Sequence, residues 1–350
     1  MRNRIVLSAL GAGLIAALGL AGTQAQAQSL TVVSWGGAYQ EAQKKIYFEP
    51  FAKAKALKLL DEAWDGGVGV VRAKVQAAQP TWDVVQVEAE ELVLGCEEGL
   101  YEKIDWAKLG GKDKFIPAAV NDCGVGAIVW STAIAYDGDK LKEGPKSWAD
   151  FWDMKKFPGK RSLRGGPKYT LEFALMADGV SVNDVYKVLA TPAGVERAFK
   201  KLDEIKSQVV WWKSGAQPIQ LLASGEVVMT SAYNGRVSAA NRTDKKNFKV
   251  VWPGSIYAVD SWVVLKNSAN KGAGMDYIAF ASAPENQKNL PEYIAYGLTN
   301  KAAVGMVDAK YQAELPTTPA NAEGAIPIDA NFWVENIDKL TERFNAWAAK

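Results

Sequence analysis

The 350-residue sequence contains no histidine. A Ser-His-Asp or Cys-His nucleophile system is therefore impossible, and so is a zinc site built on imidazoles. Only two cysteines occur, Cys96 and Cys123. They are too few for a four-thiolate site and too far apart for a CxxC redox or zinc motif. No GxxxxGK[ST] loop is present, and no GxGxxG follows a strand. Gly36-Gly37 is no dinucleotide fingerprint, because the third glycine is missing and the bulky Trp35 and Tyr39 flank the pair. Acid–base chemistry by paired carboxylates stays open, but nothing in the spacing of the Asp and Glu residues points to it. No enzyme activity, cofactor or metal is expected.

A surplus of one charge is also missing. Lys and Arg number 41 against 39 Asp and Glu, and loss of Arg2 and Arg4 would bring the two to parity. Parity argues against nucleic acid as a partner, since phosphate neutralisation needs a basic excess, and against a polybasic membrane patch. Long apolar runs are absent except at the N-terminus, where Arg2 and Arg4 precede the uncharged stretch Ile5 to Leu20 and then Ala25-Gln26-Ala27. That order is the pattern of a secretory signal peptide cut after Ala27, so residues 1–27 are expected to be removed. The alternative is an N-terminal membrane anchor, for which the run is short against the ~20 residues of a span. No Cys stands at the cut site to take a lipid. What remains exceeds the usual size of one compact core, so two lobes are expected. Export makes a Cys96–Cys123 disulfide the expected state, with two buried free thiols as the alternative.

What is present is an alternation of strands and helices. Near the start stands "LTVVSWGGAYQEAQKKI", where a Val-rich strand (31–34) runs into two aromatics separated by residues with almost no side chain, and then into a helix over 39–56. Strands are expected at 83–87, 127–135 and through "SIYAVDSWVVLK". Helices are expected through 94, over 185–207, after Asn234-Gly235, through "GAGMDYIAFASAPENQKNL", and from about 331 to the end. Alternating elements imply an α/β architecture with mainly parallel, helix-covered sheets. Ligands bind such sheets at the carboxyl ends of strands, and the unusual stretches 35–39, 88–91, 164–169, 233–236 and Asp260 fall there.

Five stretches in order, "VVSWGGAY", "WDVVQVEAEE", "GEVVMTSAYNGR", "SIYAVDSWVVL" and "AYGLTNKAA", resemble the periplasmic solute-binding proteins of ABC importers, in the branch that includes the spermidine/putrescine-binding proteins. The resemblance covers nearly all of the chain after residue 27. It implies a type II two-lobed fold with mixed sheets covered by helices and a hinge of crossing strands. The lobes would be 30–134 plus 260–303, and 135–259 plus 304–350. It implies a periplasmic monomer that closes over a small solute and delivers it to an inner-membrane permease. Trp35 and Tyr39 match aromatics that wall an amine, Glu88 falls near a ligand position, Tyr233 matches an aromatic platform, Asp260 matches the carboxylate that pairs with a ligand ammonium, and Tyr296 matches a lining tyrosine. The acidic pair that holds the second amine of a polyamine appears here as Gly166 and Tyr169. An aromatic two residues before the key Asp is here Ala258.

The residues themselves bear on the same site. A cation over the faces of Trp35 and Tyr39 would gain ~0.5–2 kcal/mol; the alternative is that Trp35 packs in a lobe core. Asp260 lies inside an apolar strand, where a carboxylate is costly unless paired, with a ligand or within a structural ion pair. Glu88 ends a strand but opens an acidic helix start, which the macrodipole favours. Arg236 stands in a helix first turn that disfavours cations, which points to a ligand carboxylate or to an interlobe salt bridge. Arg164 before Gly165-Gly166 is a second candidate anion cradle. Ammonium at one end and carboxylate at the other would satisfy Asp260 and Arg236 together, so a ω-amino acid such as 4-aminobutyrate fits better than spermidine. If a protein acid neutralises Arg236, the site reverts to polyamines or a thiamine-like cation. A secreted carboxylate-dependent enzyme and an extracellular sensor are the alternatives from other classes.

Overall fold

The computed structural model describes residues 29–77 and 80–350, so the expected signal peptide lies outside the described residues. Nine strands form one mixed sheet: β1 (Ser29–Ser34), β2 (Lys58–Ala63), β3 (Val84–Val87), β4 (Val125–Asp137), β5 (Arg161–Arg164), β6 (Val209–Trp212), β7 (Met229–Tyr233), β8 (Phe248–Val264) and β9 (Ile326–Pro327). Their order is β2-β1-β3-β8-β4-β7-β5-β6, with β9 beside β8. The sheet has two parallel trios, β2-β1-β3 and β7-β5-β6. Between them run the long antiparallel strands β4 and β8, which pair with each other and with one trio each.

Val is the most frequent residue in the buried strand β3 and recurs through β1, β4 and β8, as burial on both faces favours, whereas the buried strands β5 and β7 contain no Val or Ile. β4 is buried over Val125–Ala135. The helices that follow the strands are α1 (Gly37–Gln43), which continues through a π-turn to Lys55, α2 (Ala89–Glu97), α3 (Thr170–Ala177) and α4 (Asn234–Thr243); the chain closes with α5 (Ala330–Ala348). The helix expected over 185–207 is broken. Thr191 caps a new helix whose first residue is Pro192, and its hydroxyl accepts from Gly194 N, because proline cannot continue an existing helix but suits a helix start. Pro284 breaks the helix after Ser282 for the same reason. The strand through Asp260 begins earlier than expected, at Phe248, and takes up Pro253 and Gly254 in an irregularity where its register against β4 shifts. Among the described residues no helix is long and apolar enough to cross a membrane.

Cys96, in α2, and Cys123, just before β4, form a disulfide. It ties the helix after β3 to the strand that leaves this half of the sheet. Closing a loop of 27 residues' separation should stabilise the fold by about 3–4 kcal/mol through the unfolded chain. Denaturant unfolding of Cys96→Ser/Cys123→Ser is expected to show that loss. Ligand affinity should stay unchanged, because neither cysteine reaches the cavity described next.

Candidate ligand-binding site

The carboxyl ends of the parallel strands face one another across β4 and β8. Trp35 follows β1, Trp64 and Asp65 follow β2, Glu88 follows β3, Arg164 ends β5, Lys213 follows β6 and Tyr233 ends β7. All of them line one cavity, together with Ile128 and Trp130 of β4, Asp260 of β8, Tyr39 of α1, Gly215, Arg236 and Tyr296. The cavity holds about 490 Å³ of space, part of it open to solvent. It is a slot, suited to a thin solute.

Seven of the eight residues picked out in the sequence line this slot: Trp35, Tyr39, Glu88, Tyr233, Arg236, Asp260 and Tyr296. Tyr169 does not. It precedes α3 with φ 69° and is buried behind the wall, its ring edge-on to Trp130 at 5.6 Å. The reading of the sequence missed Trp64, Asp65, Trp130 and Lys213. Trp130 lies two residues from Ile128 on one strand face, and Ile128 is the register partner of Asp260, a relation that exists only once β4 and β8 pair.

Aromatic rings form the walls and fix each other. Trp35 stacks on Trp64 at 5.2 Å, Tyr39 meets Tyr296 edge-on at 5.1 Å, and Trp130 meets Tyr233 edge-on at 4.8 Å. Gln86 donates to the Tyr39 hydroxyl at 2.7 Å. The glycines permit close approach. Gly36 and Gly37 both have positive φ, and a Cβ on Gly37 would lie 2.6 Å from Arg236 Nη1. A Cβ on Gly235 would lie 2.4 Å from the Tyr296 ring.

Asp260 is 4% exposed. Its Oδ1 accepts from Trp130 Nε1 at 2.6 Å, and among the described residues no Lys or Arg forms a salt bridge with it. Burial, then the charge of Glu88, pushes its carboxyl well above the usual carboxylate range, and the Trp130 hydrogen bond only partly offsets this. A cation placed against such a group would stabilise its anion far more than the single neutral donor of Trp130 does.

Arg236, in the first turn of α4, is equally buried. Its Nη2 donates to the carbonyls of Trp35 at 2.9 Å and Gly36 at 3.3 Å. Its Nε has no acceptor, and among the described residues no carboxylate forms a salt bridge with it. The alternative of a protein acid neutralising Arg236 is therefore not what the fold contains. Asn234 anchors this turn: its Oδ1 accepts from Ser131 N at 3.0 Å and its Nδ2 donates to Ala295 O at 2.6 Å.

Glu88 is paired. Lys168 Nζ donates to it, and Arg164 Nη2 lies 3.5 Å away. Burial works to raise its pKa, but the two cations outweigh burial and hold it at about 2. Lys168 also donates to Glu90, whose carboxyl burial shifts upward. Glu91 reaches back to accept from Glu88 N at 2.9 Å, and burial beside Glu88 and Glu90 raises it to about 7. Among the described residues, three nitrogens on the slot's lining are buried without an acceptor: Trp35 Nε1, Arg164 Nη1 and Arg236 Nε. All three are donors, so the complementary group is an acceptor, such as a carboxylate.

Comparison with known proteins finds relatives of this chain. Residues 47–317 match the family model described as bacterial extracellular solute-binding protein. The chain is 50% identical over 330 residues to the gamma-aminobutyric acid-binding protein of Pseudomonas aeruginosa, covering 94% of each. It is 26% identical to the spermidine/putrescine-binding periplasmic protein of Escherichia coli over 73% of this chain and 74% of that one. Among solved structures, a GABA receptor superposes with TM-score 0.81 at 36% identity, covering 92% of this chain and 98% of that one. The PBP MotA of A. tumefaciens B6, in complex with glucopine, superposes with TM-score 0.85 at 32% identity, covering 92% and 100%. The family model spans most of the chain and the relative from Pseudomonas aeruginosa 94% of it, and the chain belongs to the bacterial extracellular solute-binding protein family.

Proposed function

We propose that this protein captures 4-aminobutyrate or a closely related ω-amino acid in the periplasm and delivers it to an inner-membrane ABC permease. The observation that carries the reading is a slot with an unpaired buried carboxylate, Asp260, and an unpaired buried guanidinium, Arg236. Asp260 takes the ligand ammonium, with Tyr39, Trp130 and Tyr296 as walls. Arg236, with the free donors of Trp35 and Arg164, takes the carboxylate. The relative named for gamma-aminobutyric acid supports this ligand over a polyamine, because its identity to this chain is about twice that of the spermidine/putrescine-binding relative.

The protein acts as an exported monomer and performs no chemistry on the solute. Its lobes are 30–134 plus 260–303 and 135–259 plus 304–350, with the hinge on β4 and β8. Ligand contacts to both lobes favour the closed form over the open one. Small-angle scattering should show a smaller radius of gyration at saturating 4-aminobutyrate, and an unchanged profile would count against closure.

Titration calorimetry with 4-aminobutyrate, putrescine, spermidine and thiamine separates the ligand classes. Tight 4-aminobutyrate binding and weak polyamine binding are expected. Asp260→Asn should cost ~2–5 kcal/mol of that affinity, because it breaks a desolvated charge pair on one side. Polyamine binding that survives Arg236→Ala, with no response to 4-aminobutyrate, would sink the zwitterion reading.

The pH dependence has a definite sign. Asp260 in the free protein holds its proton above the usual carboxylate range, whereas a bound ammonium favours the anion. Binding should therefore release a proton, and affinity should rise with pH through the free-protein pKa. Calorimetry in buffers of different ionisation enthalpy reads this release, and Asp260→Asn should abolish it.

A further inference from the structure

The sign of the slot is set from behind its wall. Glu88 and Asp260 both line the slot, and two carboxylates on one narrow cavity suit a ligand with two positive charges. Lys168 alters that arrangement. It lies in the loop between β5 and α3, is 7% exposed, and is not among the residues that line the slot. Its ammonium donates to Glu88 Oε2 and to Glu90 Oε1. Among the described residues, Lys168 is the cation that holds Glu90, and it shares Glu88 with Arg164.

With Asp260 ionised against a ligand ammonium, the formal charges around the slot balance. Asp65, Glu88 and Asp260 line the slot together with Arg164, Lys213 and Arg236, while Lys168 and Glu90 behind the wall add one charge of each sign. A zwitterion, neutral overall, then enters surroundings with no net formal charge. Without Lys168 the same surroundings carry one uncompensated negative charge, in a place too dry to screen it.

We propose that Lys168 is a specificity-determining residue that acts through Glu88, neutralising the Glu88–Glu90 pair so that the slot accepts a zwitterion and discriminates against diamines. The proposal rests on the ω-amino-acid reading above and adds the residue that sets its charge selectivity. Lys168 also bridges the two halves of the sheet, from the loop after β5 to the start of α2. Its loss would therefore weaken closure around every ligand, but that effect is common to all ligands and leaves their affinity ratios unchanged.

The test is calorimetry on the wild type, Lys168→Met and Lys168→Met/Glu88→Gln, each titrated with 4-aminobutyrate, n-butylamine and putrescine in low salt. Lys168→Met is expected to shift the putrescine to 4-aminobutyrate affinity ratio toward putrescine by at least about tenfold, as one charge acting at ~8 Å through an effective dielectric of ~20 requires. Restoring charge balance with Glu88→Gln should return most of that shift. A ratio that moves by less than twofold in Lys168→Met overturns the proposal, as does a shift of the same size in the double variant. The putrescine to n-butylamine ratio needs no ligand carboxylate. It should also move toward the diamine in Lys168→Met, and it remains readable if 4-aminobutyrate proves not to bind, an outcome that would sink the ω-amino-acid reading alone. Should Lys168→Met fail to fold, Glu90→Gln carries the test with the opposite sign: the ratio should move toward 4-aminobutyrate, and movement toward putrescine or none at all overturns the proposal.

Discussion

The site depends on one carboxylate that β8 takes out of water. Asp260 pairs with Ile128 of β4, and the next residue, Ser261, pairs with Val87 of β3, so the strand holds its backbone in place and the side chain cannot swing to solvent. A buried carboxylate with one neutral donor is costly, and the raised pKa of Asp260 reports that cost. The walls around it follow from the same constraint. Polar neighbours would hydrate or neutralise the anion, whereas Tyr39, Trp130 and Tyr296 keep it dry and offer π-faces to a cation. Each of those rings is held by a second ring or by Gln86, so the slot keeps its shape.

Arg236 is the counterpart on the other half of the sheet, and its surroundings explain the two glycines between Trp35 and Tyr39. The guanidinium lies against Gly37 and Gly215, where a Cβ would come within 2.6 Å of Nη1 and Nε respectively. Its hydrogen bonds go to the Trp35 and Gly36 carbonyls. A guanidinium bound to neutral carbonyls keeps its full charge, which an acid would have cancelled. The strand-end aromatics and the helix after β7 are thus joined by a group that still needs an anion.

Much of this was legible in the chain. The alternation of strands and helices follows from apolar periodicity, and a lone Asp in "YAVDSWVV" reads as a buried charge without any structure. The Gly-Gly between large aromatics marks a close backbone approach. The polar strand β2 was not legible, because an exposed edge strand such as Lys58–Ala63 has no apolar face to show a period of two. Nor was the pairing of Glu88. An acid at a helix start has a sufficient local explanation in the macrodipole, and its partners Arg164 and Lys168 are more than 70 residues away. Trp130 reads as core by its apolar strand, and its indole N–H on Asp260 emerges only once β4 and β8 are in register.

In the proposed closure mechanism, the unmet donors would give the closed arrangement its dependence on a solute. Glu88 with Lys168 and Arg164, and Arg236 with the Trp35 and Gly36 carbonyls, already link the two halves of the sheet. If those links were the whole account, the protein would close as firmly with a poor solute as with a good one. Trp35 Nε1, Arg164 Nη1 and Arg236 Nε lie buried without acceptors, however, and each unmet donor in such a place costs about 1–3 kcal/mol, more where it is charged. Closing the slot strips water from these donors and from Asp260 at the same time. A solute that brings both acceptor oxygens and an ammonium removes the two penalties together, while a simple amine leaves the donors unmet and a simple acid leaves Asp260 unpaired. The energy that separates open from closed therefore depends on the chemistry of both ends of the solute, and only differential contacts of that kind can shift the equilibrium.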